Sequence, residues 1–205
     1  MSDHWDRVWE SRDPEAVTWF QASPDVSMRL IAAVARPGDR IIDVGGGASR
    51  LVDHLLAAGY DDVTVLDIAA GAMAAARRRL GGRAAEVRWV VADVTDTAFD
   101  TAFDTAFDVW HDRAVFHFLT EPDGRAGYLA GMNAALAVGG HVVLSTFGPD
   151  GPEWCSGLPV LRYDVATLHA TLGDGYALVA DEVEHHVTPT GATQQFVYGV
   201  FRRLR

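Results

Sequence analysis

The sequence predicts an α/β fold: a doubly wound, seven-stranded, mostly parallel sheet with a C-terminal antiparallel hairpin strand and an N-terminal helical cap. Three observations predict it. Short β-branched runs alternate with helix-like apolar periodicity, a glycine turn follows the first such run, and the last two strand-like runs have no helix between them. A length of 205 residues is that of one domain.

The first 38 residues predict the cap. Aromatic residues recur there at helix-like spacings, namely Trp5, Trp9, Trp19 and Phe20. An apolar-periodic segment then runs from Val26 to Ala35 and ends at Pro37 and Gly38. We therefore assign residues 1–38 to a helical cap and residues 39–205 to the sheet core of a single domain.

From residue 40 onward, strand and helix patterns alternate. The first strand, Arg40 to Val44, stops at three glycines, and helical periodicity follows over residues 51–56. Further strands are predicted at 63–66, 87–91, 107–110, 141–147, 177–187 and 194–201, and further helices at 69–80, 124–137 and 164–172. Crossover helices imply parallel strands, whereas the last two strands are expected to pair as an antiparallel hairpin. The tandem Thr-Ala-Phe-Asp repeat at 97–108 is interpreted as a lengthened connection without chemistry.

Composition excludes several function classes. The formal net charge of −11 repels phosphate backbones and argues against nucleic-acid binding. No lysine is present, which excludes Schiff-base chemistry, and the single cysteine, Cys155, excludes an internal disulfide and a Cys-rich zinc site. Adjacent histidines at 185 and 186 point to opposite faces of a strand, so no metal site is expected.

The sequence favours a cytoplasmic protein whose partner is a small molecule. Its apolar runs fall short of the roughly 18 residues that a membrane span needs. Its first seven residues carry mixed charge and lack the pattern of a secretory signal. The oligomeric state is not predicted.

The segment richest in chemistry is the glycine turn after the first strand, Asp43-Val44-Gly45-Gly46-Gly47-Ala48-Ser49. Such a turn lets a ligand approach the backbone at the carboxyl edge of a doubly wound sheet. A dinucleotide fingerprint would need another glycine at position 50, which is arginine, so a nicotinamide enzyme is disfavoured.

Two acidic residues end the next two strands. Asp67 stands 24 residues after Asp43, where a carboxylate can accept hydrogen bonds from both ribose hydroxyls of an adenosine-type ligand. Asp93 ends the third strand and can accept from an adenine amino group, with Ile68 and Val94 on either side of the ring. A glycine turn and two acids at successive strand ends predict a cofactor site.

These residues resemble the class I, Rossmann-like S-adenosylmethionine-dependent methyltransferases over nearly the whole chain. The stretch Asp112-Arg113-Ala114, with the helix that follows it, is similar to the thiopurine and thiol methyltransferase branch. In the turn, Ser49 stands at a usual glycine position. The loop at 151–159 matches no acceptor site that we can assign.

The resemblance implies roles for individual residues. Asp43 would order the turn, Gly45 and Gly47 would contact the methionine part of S-adenosylmethionine, and His111 would line the methionine side. Asp67 would hold the ribose, and Asp93 and Val94 the adenine. Trp19, with Trp9 and Phe20, would belong to a lid.

Arg113 and His117, which follow the fourth predicted strand, are the candidate catalytic residues at the acceptor. Arg113 can stabilise an anionic acceptor or form a structural ion pair, and His117 can accept a proton or lie in the core.

The predicted function is methyl transfer to a small-molecule nucleophile, with thiols slightly favoured over nitrogen or oxygen acceptors. The alternatives are a protein lysine methyltransferase with an open acidic groove, a non-catalytic nucleotide-binding domain, and an NAD-dependent oxidoreductase.

Overall fold

The computed structural model describes residues 2–96 and 106–205. Its helices are α1 (Ser2–Ser11), α2 (Asp25–Val34), α3 (Leu51–Ala57), α4 (Ala70–Leu80), α5 (Pro122–Ala135) and α6 (Val165–Leu172). Its strands are β1 (Arg40–Val44), β2 (Asp62–Asp67), β3 (Val87–Val91), β4 (Phe107–Arg113), β5 (Leu136–Phe147), β6 (Trp154–Cys155), β7 (Leu158–Pro159), β8 (Tyr176–Val187) and β9 (Thr193–Arg203). The interpretation of the Thr-Ala-Phe-Asp repeat falls largely on residues 97–105, which lie outside the described residues.

The main sheet has seven strands in the order β3-β2-β1-β4-β5-β9-β8, which confirms the predicted class. The five strands β3, β2, β1, β4 and β5 are parallel to one another. β9 runs antiparallel to both β5 and β8, so it is the reversed strand. The carboxyl ends of β1, β2, β3 and β4 therefore meet at one edge of the sheet, where the candidate residues lie.

Two apolar layers cover the sheet because successive strand residues point to opposite faces. Ile41 belongs to a core cluster that includes Ile31 of α2 and Leu55 of α3. Its neighbour Ile42 belongs to a second cluster, with Met132 of α5 and Leu168 of α6. This burial on both faces explains why the strands read as continuous apolar runs.

Departures from the predicted elements occur in the second half. β4 continues to Arg113 rather than ending at residue 110, so Arg113 is the last residue of the strand and does not follow it. β5 begins at residue 136 rather than 141, because Leu136 turns extended directly after α5 and pairs with Phe107 of β4 before a register shift. The loop at 151–159, which carried no predicted element, forms the two-residue hairpin strands β6 and β7.

The cap consists of α1 and α2 joined by residues 12–24. α1 packs against α4, and α2 packs against α3, β4 and β5. Among the described residues, none of the helices combines the length and hydropathy of a membrane span. Nor does any cluster of three or more histidine, cysteine or acidic side chains within 2–96 and 106–205 have the arrangement of a metal site.

Candidate active site

The glycine turn between β1 and α3 is held close to β2. The backbone N–H of Gly45 donates to the carbonyl of Leu66 over 2.7 Å. Gly45 and Gly47 have φ values of +68° and +41°, a region that side chains with a Cβ rarely adopt. A Cβ on Gly45 would lie 2.0 Å from Val115 Cγ2, and one on Gly47 would lie 2.6 Å from Asp67 Oδ2. The turn therefore requires glycine at both positions.

Under this turn lies a buried polar chain. Asp43 Oδ1 is 2.7 Å from His111 Nδ1, and His111 Nε2 is 2.9 Å from Ser27 Oγ. The other carboxylate oxygen, Asp43 Oδ2, is buried without a hydrogen-bond partner, beneath Gly46. The predicted residues Asp43 and His111 are thus together, and Ser27 of the cap helix α2 joins them without any signal in the sequence.

The two predicted acids border one cavity at the carboxyl ends of β2 and β3. Asp67 is almost fully buried, and its Oδ1 accepts from the Ala69 N–H over 2.8 Å. Burial raises the pKa of Asp67 to about 7, with the nearby Asp43 charge acting in the same direction. Asp93 accepts from the N–H and the hydroxyl of Thr95.

Apolar side chains complete this end of the cavity. Ile68 and Val94, predicted on either side of an adenine ring, line it together with the two acids. The cavity has a volume of about 920 Å³, which includes its opening to solvent. A second cavity of about 600 Å³, also counting its mouth, adjoins the glycine turn and is lined by Asp43, Gly45 and His111.

Arg79, near the end of α4, braces the outside of the turn. Its guanidinium donates to the carbonyls of Ala48 and Ser49 and to both carboxylate oxygens of Asp53. Arg77, Arg78 and Arg79 form a basic run, which by itself suggests only a favourable helix end. The bracing role was not predictable, because α4 meets α3 only through the tertiary fold.

Cap tryptophans form the roof of the larger cavity. Trp19 packs edge to face against Trp5 and Trp9, with ring centroids 6.2 and 6.0 Å apart, and Trp5 packs in the same way on Phe118 at 5.1 Å. The three tryptophans all line the cavity. Trp5 extends the lid group expected from the sequence, whereas Phe20 borders only the second cavity.

Arg113 lines both cavities, and each of its three guanidinium nitrogens has a partner within the protein. It donates from Nε to the Tyr198 hydroxyl over 2.9 Å and from an Nη to the Trp19 carbonyl over 3.1 Å. Its other Nη lies 3.5 Å from a Glu184 carboxylate oxygen, and both side chains are largely buried. The geometry favours the structural ion pair over a free cation for an anionic acceptor.

His117 is fully buried in the short 3-10 turn Phe116–Phe118, which packs against β5. Its Nδ1 accepts from the Phe147 N–H over 3.2 Å, and its ring stacks at a tilt on Phe147. Burial, with a smaller contribution from Arg113, lowers the pKa of His117 to about 3. Such an imidazole is a weak base near neutral pH, so this position favours the core role over proton acceptance.

The small hairpin brings Cys155 to the cavity wall near Phe147 and Phe196. Burial raises the pKa of the Cys155 thiol to about 11, so the group is neutral near pH 7. This wall residue was not assigned from the sequence, because two-residue strands leave no periodic signal.

A sequence profile described as a methyltransferase domain matches residues 41–140, from β1 into β5. That stretch contains the glycine turn, Asp67 and Asp93. The matched region is a methyltransferase domain, and the seven-stranded sheet is that of the class I, S-adenosylmethionine-dependent methyltransferase fold.

Two curated proteins share part of this methyltransferase sequence. The "eEF1A lysine and N-terminal methyltransferase" of Danio rerio is 28% identical over 152 residues, which are 73% of this chain and 21% of that protein. The protein of the same name from Mus musculus is 23% identical over 98 residues, 48% of this chain and 14% of that protein. The chain thus spans about a fifth or less of the length of these relatives.

Solved structures share the fold, a named methyltransferase among them. A structure described under the conversion of a disulfide bond into a thioacetal group during echinomycin biosynthesis has a TM-score of 0.80 at 21% identity, covering 100% of this chain and 93% of that one. The 1,6-didemethyltoxoflavin-N1-methyltransferase of Burkholderia thailandensis has a TM-score of 0.69 at 22% identity, covering 99% and 83%. These likenesses establish the architecture and leave the acceptor open.

Proposed function

We propose that this methyltransferase moves the methyl group of S-adenosylmethionine to a small-molecule nucleophile held between the cap and the carboxyl ends of β4 and β5. The observation that carries the proposal is the roof of Trp5, Trp9 and Trp19 over the cavity that Asp67 and Asp93 border. An aromatic roof suits a compact acceptor that is enclosed. A protein acceptor calls for an open groove.

The residues present fit the cofactor. Gly45 and Gly47 leave a bare backbone where a Cβ would collide, and Asp43 Oδ2 is a buried acceptor without a partner beside the turn. Asp67 offers a carboxylate whose charged form is destabilised by burial, so donors from a ribose would relieve that cost.

Roles follow from these positions. Asp67 would accept the ribose hydroxyls, Asp93 would accept from the adenine amino group, and Ile68 and Val94 would pack against the ring. Gly45, Gly47 and Asp43 would hold the methionine part beside His111. When bound, S-adenosylmethionine supplies a methyl group already activated on a sulfonium, so the protein contributes placement and exclusion of water.

The acceptor end favours nucleophiles that need no protein base. His117 is a poor base at neutral pH, and the Cys155 thiol beside the cavity is neutral. A thiol that ionises in water, or an amine that attacks through its lone pair, meets this condition, whereas a hydroxyl needs help with its proton. We therefore keep thiols first and amines second.

A protein acceptor is the second candidate, because the curated relatives are named as eEF1A lysine and N-terminal methyltransferases.

We further propose that cap residues 1–38 and core residues 39–205 work as one domain, since residues of both form the cavity wall. The aromatic cap residues on this wall favour a small acceptor over a protein.

The fate of a labelled methyl group separates these candidates. Protein and methyl-labelled S-adenosylmethionine are incubated with a cell extract, which is then divided into metabolite and macromolecule fractions. The proposal expects label among metabolites, and the Asp67→Asn variant should reduce it to background. Label confined to protein would favour the second candidate. Binding of S-adenosylhomocysteine without any transfer would favour a non-catalytic domain.

A further inference from the structure

We propose that Glu184 of β8 is a specificity residue of this site: by neutralising Arg113 it selects planar acceptors that are uncharged or cationic and rejects those that carry a carboxylate. The inference rests on the proposed function for the location of the acceptor.

Each guanidinium nitrogen of Arg113 already has a partner within the protein. Its guanidinium contacts Tyr198, the Trp19 carbonyl and Glu184, and its carbon Cζ lies 4.1 Å above the Phe196 ring. A planar guanidinium has donors only in its own plane. Three of its five N–H donors are thus engaged and one face lies on a ring, so an acceptor carboxylate would have to compete with Glu184 for the Arg113 charge.

Glu184 is held in a fixed position by two hydrogen bonds in addition to its contact with Arg113. Its Oε1 accepts from the Gln21 side-chain amide over 2.7 Å, and its Oε2 accepts from the Tyr198 hydroxyl over 3.1 Å. The side chain is 13% exposed, against 10% for Arg113, so solvent screens the pair little. The carboxylate is therefore placed to offset the arginine charge permanently.

Once Glu184 offsets Arg113, the other charged side chains on the wall set the net charge of the cavity. Apart from Arg113, the charged side chains on its described wall are Asp67 and Asp93. Arg12 is near enough to Cys155 to favour its thiolate but is exposed, where solvent weakens its field. With Arg113 offset, the cavity is neutral to negative, and a bound carboxylate would be repelled and stripped of water.

The wall gives the shape of the preferred acceptor. Phe118, Phe147 and Phe196, together with the cap tryptophans, make the wall of the cavity that Arg113 borders rich in aromatic side chains. Flat rings pack on such surfaces, and aromatic faces also attract cations. The acceptor class is thus a planar ring, neutral or positively charged.

Calorimetry with three ligands on one ring tests the charge rule: 4-methylquinoline, 4-aminoquinoline and quinoline-4-carboxylate, each titrated into protein saturated with S-adenosylhomocysteine. For the wild type we expect the neutral and cationic rings to bind at least about tenfold tighter than the carboxylate. In Glu184→Gln, which keeps the side-chain volume, the ratio should fall below about threefold because Arg113 is no longer offset.

Glu182→Gln is the matched control. It removes the same charge from the same strand, but Glu182 pairs with Arg29 at the surface. Its ligand ratio should equal that of the wild type. The double variant Arg113→Gln/Glu184→Gln removes both charges and should restore rejection of the carboxylate, which separates a charge effect from a folding defect.

The outcomes are distinct. A wild type that binds the carboxylate as tightly as the other rings, or a ratio unchanged in Glu184→Gln, would overturn the charge rule. Failure of all three rings to bind, while S-adenosylhomocysteine binds, would overturn the planar acceptor class and leave methyl transfer standing. Failure to bind S-adenosylhomocysteine would instead count against the proposed function.

Discussion

Asp43 Oδ1 and His111 Nδ1 lie 2.7 Å apart in a buried bond between neighbouring strands, directly under the glycine turn. Ser27 extends this bond to the cap, 2.9 Å from His111 Nε2. The cap helix α2 and the cofactor turn are therefore joined through one imidazole ring, and the order of the turn depends on the position of the cap.

Ser27→Ala tests that connection. The change leaves His111 Nε2 buried without a partner, and we expect a loss of about 1–3 kcal/mol in the free energy of unfolding. The dissociation constant of S-adenosylhomocysteine should rise severalfold because the Asp43–His111 bond is less well held. Urea titration and calorimetry measure the two effects. Ser11→Ala, at an exposed position of the cap, should change neither.

Asp67→Asn should stabilise the ligand-free protein and weaken its binding of S-adenosylhomocysteine. Burial raises the pKa of Asp67 from its ordinary 3.8 to about 7. The folded state then holds more protons between these values, so the free energy of unfolding falls as pH rises from about 4 to 7. Asparagine carries no charge, and at pH 8 the ligand-free variant should melt a few degrees higher than the wild type.

The same variant should bind S-adenosylhomocysteine at least about tenfold more weakly, because the charge-assisted bonds to the ribose are lost. Wild-type affinity should increase from pH 6 to pH 8 as Asp67 ionises. Asp61→Asn, exposed just before β2, should match the wild type in both measurements. An unchanged dissociation constant in Asp67→Asn would contradict the ribose assignment.

Gly47→Ala should disable the turn. The new Cβ would lie 2.6 Å from Asp67 Oδ2, and the residue would have to keep a φ of +41°. We expect a loss of about 1–3 kcal/mol from backbone strain, with binding of S-adenosylhomocysteine severely weakened. Gly82→Ala provides the comparison, since its Cβ would meet nothing within 4 Å and its φ is ordinary. Equal binding by both variants would show that the turn does not hold the cofactor.

His117→Gln separates a core role from catalysis. With its pKa lowered to about 3, His117 stays neutral from pH 6 to pH 9 and contributes no inflection to the turnover number there. We expect the variant to melt at a lower temperature, with a pH profile of unchanged shape. His185→Gln, at an exposed position on β8, should alter neither property. An inflection that disappears only in His117→Gln would establish the base role.

Much of the fold could be predicted because its signals are local. The β-branched runs, the glycine turn and the hairpin without a crossover helix led to the observed sheet with its reversed strand β9. The early start of β5 was missed because Leu136 is extended by its pairing with Phe107, a partner 29 positions away in the chain. The strands β6 and β7 are too short for any periodic pattern.

The site residues also fall into a group that the sequence could predict and a group that it could not. Asp43, Gly45, Asp67 and Asp93 could be nominated because each ends a strand or opens a turn, and parallel strands bring such ends together. Partners supplied by distant elements could not. Ser27 reaches His111 from the cap, and Glu184 reaches Arg113 from the last hairpin, so their pairing became visible only in the folded chain.

The most direct test of the central claim is the formation of S-adenosylhomocysteine from S-adenosylmethionine by the purified chain with small aromatic thiols, amines and phenols. We expect turnover with at least one thiol or amine, lost in Asp67→Asn and kept in Asp61→Asn. Tight binding of S-adenosylhomocysteine with no turnover on any small acceptor, but with methyl transfer to a protein, would contradict it.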